Sequence, residues 1–365
     1  MITFDDIRVE RLLIKEYQHQ LARELNAFSN ATKINQARHA FELKFASYIG
    51  TARAMAVGSG SDALHIALLT LHIRKGDSVI VPNITFPAVP LSILYAGATP
   101  IIIDINASLQ INENKIAEHV QQNTKAVITP HMFGRPCNIN KIVSIAQKLK
   151  IKIVEDCCQS LGSSINNKKL GSYGDIGCFS FALHKILGSC GGNGGMLCFN
   201  NQKYTKAKEF LKGWEGSQTP LTAGQHFSTT SFLDLMAVTV KWRYLTSIIK
   251  SRQQVKSIYE EELSGCRHIE LLTHPSNEEI VPQGFIVLSN QKEKIMKLLI
   301  RNGISCQPAY TPLHQMPAFR KFAKGNYPNS IRYISQAINL PIYSFMDRKD
   351  AKFIATIIKK ADQLK

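Results

Sequence analysis

The chain has 365 residues, 44% hydrophobic and 19% charged, enough to bury a substantial core as one large domain or two and too apolar to be disordered. Lys and Arg total 44 against 27 Asp and Glu, a formal charge of +17 that suits an anionic partner. The lysines are scattered, however (Lys141, Lys148, Lys150, Lys152, then Lys203, Lys206, Lys208, Lys212), with no block of like charge and no nucleic-acid signature, so the reading is a solvated basic surface and no nucleic-acid partner.

Residues 1–50 are polar with a helical pattern that includes Phe28 and Phe41. Ala54–Val57 reads as a strand, and GSGSDALHIALLTLHI opens a helix directly after it, with Leu64, Ala67, Leu68 and Leu71 on one face. The start of that helix, Gly60-Ser61-Asp62, offers free backbone N–H groups and a positive dipole end, a ready phosphate site. Gly58-x-Gly60-x-x-Ala63 also fits a dinucleotide fingerprint, which wants an acidic residue at the end of the second strand, about twenty residues on. Asp77 precedes the strand Ser78–Pro82, whose end carries Asn83, so the dinucleotide reading weakens.

Ser78 to Ile103 carries no charge, but Pro82, Pro87, Pro90, Gly97 and Pro100 interrupt it, so it reads as strand, helix and strand, with no membrane insertion. Phe86, in PNITFPA beyond the first of these strands, reads either as a core residue at a strand–helix junction or as a flat apolar wall for a ligand. Pro100–Asp104 and Lys125–Pro130 are further strands, with helices near Asn112–Gln121 and over Ile139–Leu149, and the alternation predicts a mostly parallel sheet.

The chemistry concentrates between Ile151 and Asn200. A short apolar run, Ile151–Val154, ends in Glu155-Asp156, with Gln159 three residues after Asp156. A second run, Ile176–Phe181, carries Ser180 and stops before Lys185; a glycine-rich loop, Gly188 to Gly195, leads to a third, Met196–Phe199. Taken singly, Lys185 reads as a surface lysine and Asp156 as a helix cap. Taken together at strand ends, they supply what pyridoxal phosphate chemistry needs: an amine to hold the aldehyde as a Schiff base and a carboxylate to keep the pyridine nitrogen protonated. Ser180 is a candidate phosphate donor.

The spaced set EDCCQS…GSYGDIGCFSFALHK…GGNGG resembles the sugar-nucleotide aminotransferases of the DegT/StrS family, with their E-D-x-x-Q strand end followed by G-D-x-x-x-F-S-F-x-x-x-K. The resemblance covers roughly residues 35–365, strongly over 54–200, and implies a fold type I pyridoxal phosphate transferase: an α/β large domain with a mostly parallel central sheet plus a small α+β C-terminal domain. It implies that Lys185 holds the cofactor, Asp156 pairs with the pyridine nitrogen, Gln159 lies by the ring hydroxyl and Ser180 binds phosphate. Gly60, Ser61 and Asp62 complete the phosphate cup, Asp62 through its backbone alone, and Phe86 stacks on the ring. His131, in an H-x-x-G-x-P turn, is left either near the substrate or structural.

The resemblance also implies a homodimer, whose N-terminal segment packs across the interface, working in amino-sugar and surface polysaccharide (lipopolysaccharide) synthesis. An amino acid donor, glutamate, and a nucleotide-linked keto-sugar acceptor are its substrates. The expected division is an N-terminal helical segment 1–50, a cofactor-binding domain 51–215, a helical link 216–265 and a small domain 266–365. Helices are expected over Lys203–Trp214, Phe232 to Leu263 (whole or broken), Lys292–Asn302 and Asp350–Leu364, with a loop Ser217–Gly224 and strands Phe285–Leu288 and Ile304–Pro308.

Departures from the family pattern are Thr229 and Ser231, where a G-x-N-x-R-like segment reaching the partner's site usually has Asn and Arg, and Asn193 for the acidic residue of a G-E-G-G loop. The segment Ala27–Thr32 also lacks the usual glycine. They motivate a second reading as a relative with altered chemistry or a regulatory role. His184 beside Lys185 raises sugar dehydration, which some relatives perform with histidine in place of the lysine. No C-x-x-C pair occurs among the eight cysteines and no metal is expected; with no signal peptide seen, a reducing cytoplasm is the expected location.

Overall fold

The computed structural model describes residues 31–200 and 227–363 except 309, together with Ala207 and a few positions before residue 31. Phe28, most of Ala27–Thr32, the helix expected over Lys203–Trp214 and the loop Ser217–Gly224 lie outside the described residues.

A helix α1 (Ala31–Ile49) leads into the strand–helix alternation β1 (Arg53–Val57), α2 (Gly60–Thr70), β2 (Ser78–Pro82), α3 (Ala88–Tyr95), β3 (Thr99–Ile103), β4 (Thr124–Pro130), α4 (Ile139–Leu149) and β5 (Lys152–Asp156). A small hairpin, β6 (Ser164–Ile165) and β7 (Lys168–Lys169), precedes β8 (Ile176–Ser180) and β9 (Gly195–Phe199). The main sheet has seven strands in the order β1-β9-β8-β5-β4-β2-β3. Only β9 opposes its neighbours; the other adjacent pairs are parallel. Val79, Ile80, Val81, Val127, Ile128 and Val154 are fully buried, as strands covered on both faces require.

Each face has its own core. Ala63, Leu64, Ala67 and Leu68 of α2 pack on one side with Val57, Val81 and Ile128. On the other, Phe45 of α1 meets Phe41, Phe179, Phe181 and Trp242 at ring-centroid distances of 5.1 to 6.1 Å. The uncharged stretch after Asp77 is β2, α3 and β3, and among the described residues no helix is long and apolar enough to cross a membrane. The helix expected near Asn112–Gln121 is instead a 3₁₀ turn, Glu113–Lys115, followed by one turn, Ile116–His119, which ends where Val120 becomes extended.

The helical region after Ser231 is broken into α5 (Phe232–Trp242) and α6 (Leu245–Leu263). Then come β10 (Glu270–Leu271), β11 (Glu278–Glu279), β12 (Phe285–Leu288), α7 (Lys292–Arg301), β13 (Gln307–Pro308), α8 (Pro328–Gln336), β14 (Ala337–Leu340) and α9 (Arg348–Gln363). They build a four-stranded sheet in the order β10-β12-β14-β13, whose core starts inside α6 at Val255 and Tyr259. β11 returns to pair with β6. The strand expected over Ile304–Pro308 shrinks to two residues, ending at a proline that has no N–H to extend the ladder.

Candidate active site

β5 and β8 are parallel neighbours in register, with Val154 opposite Ile176 and Asp156 opposite Cys178, so Asp156 and Ser180 emerge at the same carboxyl edge of the sheet. Asp156 is 7% exposed, and its Oδ1 accepts the Cys158 N–H at 3.0 Å, which fixes the carboxylate at the strand end.

Glu155, one residue earlier, points the other way and is fully buried. Its oxygens accept N–H bonds from Gly171, Tyr173 and Gly174 at 2.9, 2.7 and 2.6 Å, and His131 Nε2 lies 3.2 Å away. His131 Nδ1 accepts the Cys137 N–H at 3.2 Å, so the ring proton sits on Nε2 and is donated to Glu155. His131 is thus a buried structural histidine. His131, Glu155 and Cys157 present donor atoms within 4.8 Å of one another, and the imidazole nitrogens and Glu155 oxygens are engaged in the bonds just described.

Burial pushes the Glu155 carboxyl up, yet the His131 contact and the amides of Gly174 and Gly171 outweigh it and hold the group below its ordinary range. A depressed carboxyl stabilises the fold above its unfolded-state pKa, and that contribution is lost as the pH falls through the folded-state value. Glu155→Gln is therefore expected to cost about 3–5 kcal/mol at pH 7. In urea melts at pH 7 and pH 4 the gap to the wild type should narrow with acidification; a pH-independent gap would contradict the assignment.

After Ser180 the chain turns, with the Lys185 N–H on the Ala182 carbonyl at 2.8 Å. The glycine loop behind is clamped by α5: Asp234 Oδ1 accepts the Gly191 N–H at 2.9 Å and Lys241 Nζ donates to the Gly188 carbonyl at 2.5 Å. Asn193 closes the loop locally, donating from Nδ2 to the Gly191 carbonyl while its own carbonyl accepts Ser189 Oγ. Lys185 is half-buried, and desolvation lowers its pKa while Asp156 pulls it back up. His184 is exposed, its carbonyl accepting Gln283 Nε2.

The N-terminus of α2 faces Ser180. A Cβ at Gly60 would lie 2.7 Å from Ser180 Cβ and 2.9 Å from Cys158 Sγ, so only glycine lets the first helical turn close onto β8. First-turn amides have no intrahelical acceptor, and the helix start at Gly60 lies against Ser180; the Asp62 N–H expected to face a phosphate is instead taken by the cap described next. Ser59 caps the helix, its Oγ accepting the Asp62 N–H at 3.0 Å. The Asp62 carboxylate turns toward Gly58, and burial raises its pKa against the Ser59 contact. Phe86 remains 49% exposed, with Lys185 Nζ 5.9 Å from its ring centroid.

Gln159 Oε1 accepts the Phe133 N–H at 2.9 Å, and its Nε2 donates to the Tyr310 hydroxyl at 3.2 Å. Tyr310 was not found by sequence reasoning, nor were Asp234 and the Asn83–His314 contact. Tyr310 follows the strand expected over Ile304–Pro308, in a stretch with Pro312 and Pro317 that carries no motif; the available signal was that loops laid on a rigid scaffold carry function. Thr230 Oγ1 donates to the Val57 carbonyl and Ser231 caps α5, so this segment is stitched to the β1 end of the site within the chain.

A lysine after one strand end, an aspartate at the next, a helix start packed on a serine and a half-exposed aromatic ring form a candidate pyridoxal phosphate site on a fold type I scaffold. The residues fit the group: the missing Cβ at Gly60 brings the helix start up to the Ser180 side chain, and the Phe86 face beside the Lys185 amine suits a flat heteroaromatic ring. The chain belongs to the DegT/DnrJ/EryC1/StrS aminotransferase family, whose model matches residues 13–359. It is thus a sugar aminotransferase of a family that uses pyridoxal phosphate.

Among its relatives, a UDP-N-acetyl-3-dehydro-alpha-D-glucosamine 3-aminotransferase of Acidithiobacillus ferrooxidans is 31% identical, covering 89% of this chain and 88% of the relative. A dTDP-3-amino-3,6-dideoxy-alpha-D-galactopyranose transaminase of Aneurinibacillus thermoaerophilus is 30% identical over 99% of both chains. The fold matches S. venezuelae DesV with a TM-score of 0.91 at 24% identity, covering 100% of this chain and 99% of that one. It matches Bacillus subtilis NtdA with bound cofactor PMP with a TM-score of 0.86 at 25% identity, covering 99% and 86%.

Proposed function

We propose that the protein transfers an amino group from an amino acid, glutamate, to a keto-sugar carried on a nucleoside diphosphate, in two half-reactions at one site. The observation that carries this is the half-buried Lys185 amine, 5.9 Å from the exposed face of Phe86 and electrostatically coupled to Asp156. Bound pyridoxal phosphate supplies the electron sink for making and breaking the amine's C–N bond. Lys185 would hold it and, once released, would take up and return the proton that leaves the amine-bearing carbon, a task that burial assists by lowering the amine's pKa. Asp156 keeps positive charge at the ring nitrogen, Gln159 directs its amide to the ring oxygen, and Gly60, Ser61 and Ser180 bind phosphate. Asp62 orders the helix start, and Phe86 covers one ring face and excludes water.

The reading extends to a cytoplasmic homodimer serving surface polysaccharide synthesis, with a cofactor-binding unit to about residue 215 and a small C-terminal unit. Eight cysteines with no disulfide among them suit a reducing compartment, and the relatives' nucleotide-linked sugars suit the acceptor. Thr229, Ser231 and Asn193 mark where its substrate contacts depart from the common pattern, since a lost Arg leaves no bidentate anion contact.

Exchange of carbon label between ¹⁴C-labelled 2-oxoglutarate and unlabelled glutamate, catalysed by the protein with pyridoxal phosphate and no sugar, tests the first half-reaction. Exchange with glutamate is expected. Exchange with glutamine alone would change the donor, and none with any amino acid would overturn transamination.

A further inference from the structure

Tyr310 enters the site from the segment after β13 and makes a contact that the proposed chemistry does not yet use. Phe133 adopts a left-handed backbone, φ 61° and ψ 18°, which a bulky residue keeps only where its surroundings hold it. That conformation places its N–H on Gln159 Oε1 and settles which way the amide points: Nε2 faces Tyr310, 151 residues further on. Because the amide donates, the tyrosine oxygen accepts and keeps its own proton to give elsewhere.

The ring is held as firmly as the hydroxyl. It lies 5.9 Å from Phe133, tilted, and 6.4 Å from Phe86, edge-on at 82°. The Tyr310 N–H donates to the Tyr333 hydroxyl at 3.3 Å. Three residues on, Leu313 N–H donates to the Asn83 carbonyl at 2.8 Å and His314 N–H to Asn83 Oδ1 at 3.0 Å, clamping the segment to the end of β2 just before Phe86. Burial, ahead of the Gln159 contact, raises the phenol pKa, so the hydroxyl stays protonated in the working range.

We propose that Tyr310 is a positioning residue for the reaction: its hydroxyl locks the Gln159 amide so that the second Nε2 hydrogen is presented to the anionic oxygen of the cofactor ring. The inference rests on pyridoxal phosphate being held on Lys185 beside Gln159. A fixed donor drains negative charge from that oxygen, which otherwise favours protonation of the neighbouring lysine-linked nitrogen. Loss of the donor therefore raises the pH at which the lysine-linked cofactor deprotonates.

The test is the visible absorbance of the cofactor-loaded protein titrated with pH, in the wild type, Tyr310→Phe, Gln159→Ala and the double variant. Tyr310→Phe keeps both ring contacts, so the apoprotein should melt near the wild-type temperature while the midpoint rises by about half to one pH unit, the worth of one hydrogen bond. The double variant should titrate like Gln159→Ala alone, because the tyrosine acts through the glutamine. A wild-type midpoint in Tyr310→Phe, or additive shifts in the double variant, would overturn the proposal while leaving the aminotransferase reading intact. A wild-type protein that develops no visible band with pyridoxal phosphate would overturn both.

Discussion

Lys185→Ala should lose at least about four orders of magnitude in turnover, the upper end of what a positioned acid–base group supplies, while keeping much of its affinity for the cofactor. The two effects separate because different elements carry them. In the proposed site phosphate binding falls to the start of α2 and to Ser180, held together by the close approach at Gly60, and none of these depends on the lysine side chain. The amine is carried by a turn anchored independently, through the Lys185 N–H to Ala182 and through the glycine loop that Asp234 and Lys241 clamp. Alanine leaves those backbone contacts in place and removes only the covalent attachment and the proton carrier. Steady-state rates with donor and acceptor, beside equilibrium binding of pyridoxal phosphate, measure both halves. Turnover within tenfold of the wild type would mean that another residue holds the cofactor.

Asp156→Asn comes second, with an expected loss of about two to four orders of magnitude, the range for removing a charged partner from a reacting centre. Asparagine has the same shape, and its oxygen can still accept the Cys158 N–H that orients Asp156. Only the negative charge is lost, and with it the group that keeps positive charge on the pyridine nitrogen. The variant should therefore fold normally, bind the cofactor and fail at the step in which the ring withdraws electrons. Glu155, held by three amides and an imidazole, keeps the strand end in place in either form. Undiminished turnover in Asp156→Asn would show that the pyridine nitrogen lies elsewhere.

The proposed cofactor half of the site was legible because its residues cluster in sequence. Asp156, Gln159, Ser180 and Lys185 fall within thirty residues, on strands that pair as direct neighbours, so spacing along the chain reports closeness in space. Gly60 is distant in sequence, yet a glycine at a helix start is a local signal, and the structure shows that only its missing side chain permits contact with Ser180. What escaped depends on contacts that no local pattern encodes. Tyr310 meets Gln159 across 151 residues from a proline-rich segment, and Asp234 reaches the glycine loop from a helix on the far side of residues 201–226.

The C-terminal sheet was only half legible for a related reason. β14 is four residues long, follows α8 without a turn signal and takes its place from pairing with β12, so neither length nor periodicity announces it. β12, by contrast, is a fully buried apolar run and reads directly. His131 shows the opposite limit: its turn was recognisable, but only the Glu155 and Cys137 contacts decide that it is structural.

The most direct test of the central claim is the visible spectrum of the purified protein with pyridoxal phosphate, before and after borohydride, with the modified peptide mapped by mass spectrometry. The account predicts a yellow band that reduction abolishes, with the cofactor fixed on the peptide containing Lys185. A colourless protein, or a label fixed on any other lysine, would contradict it.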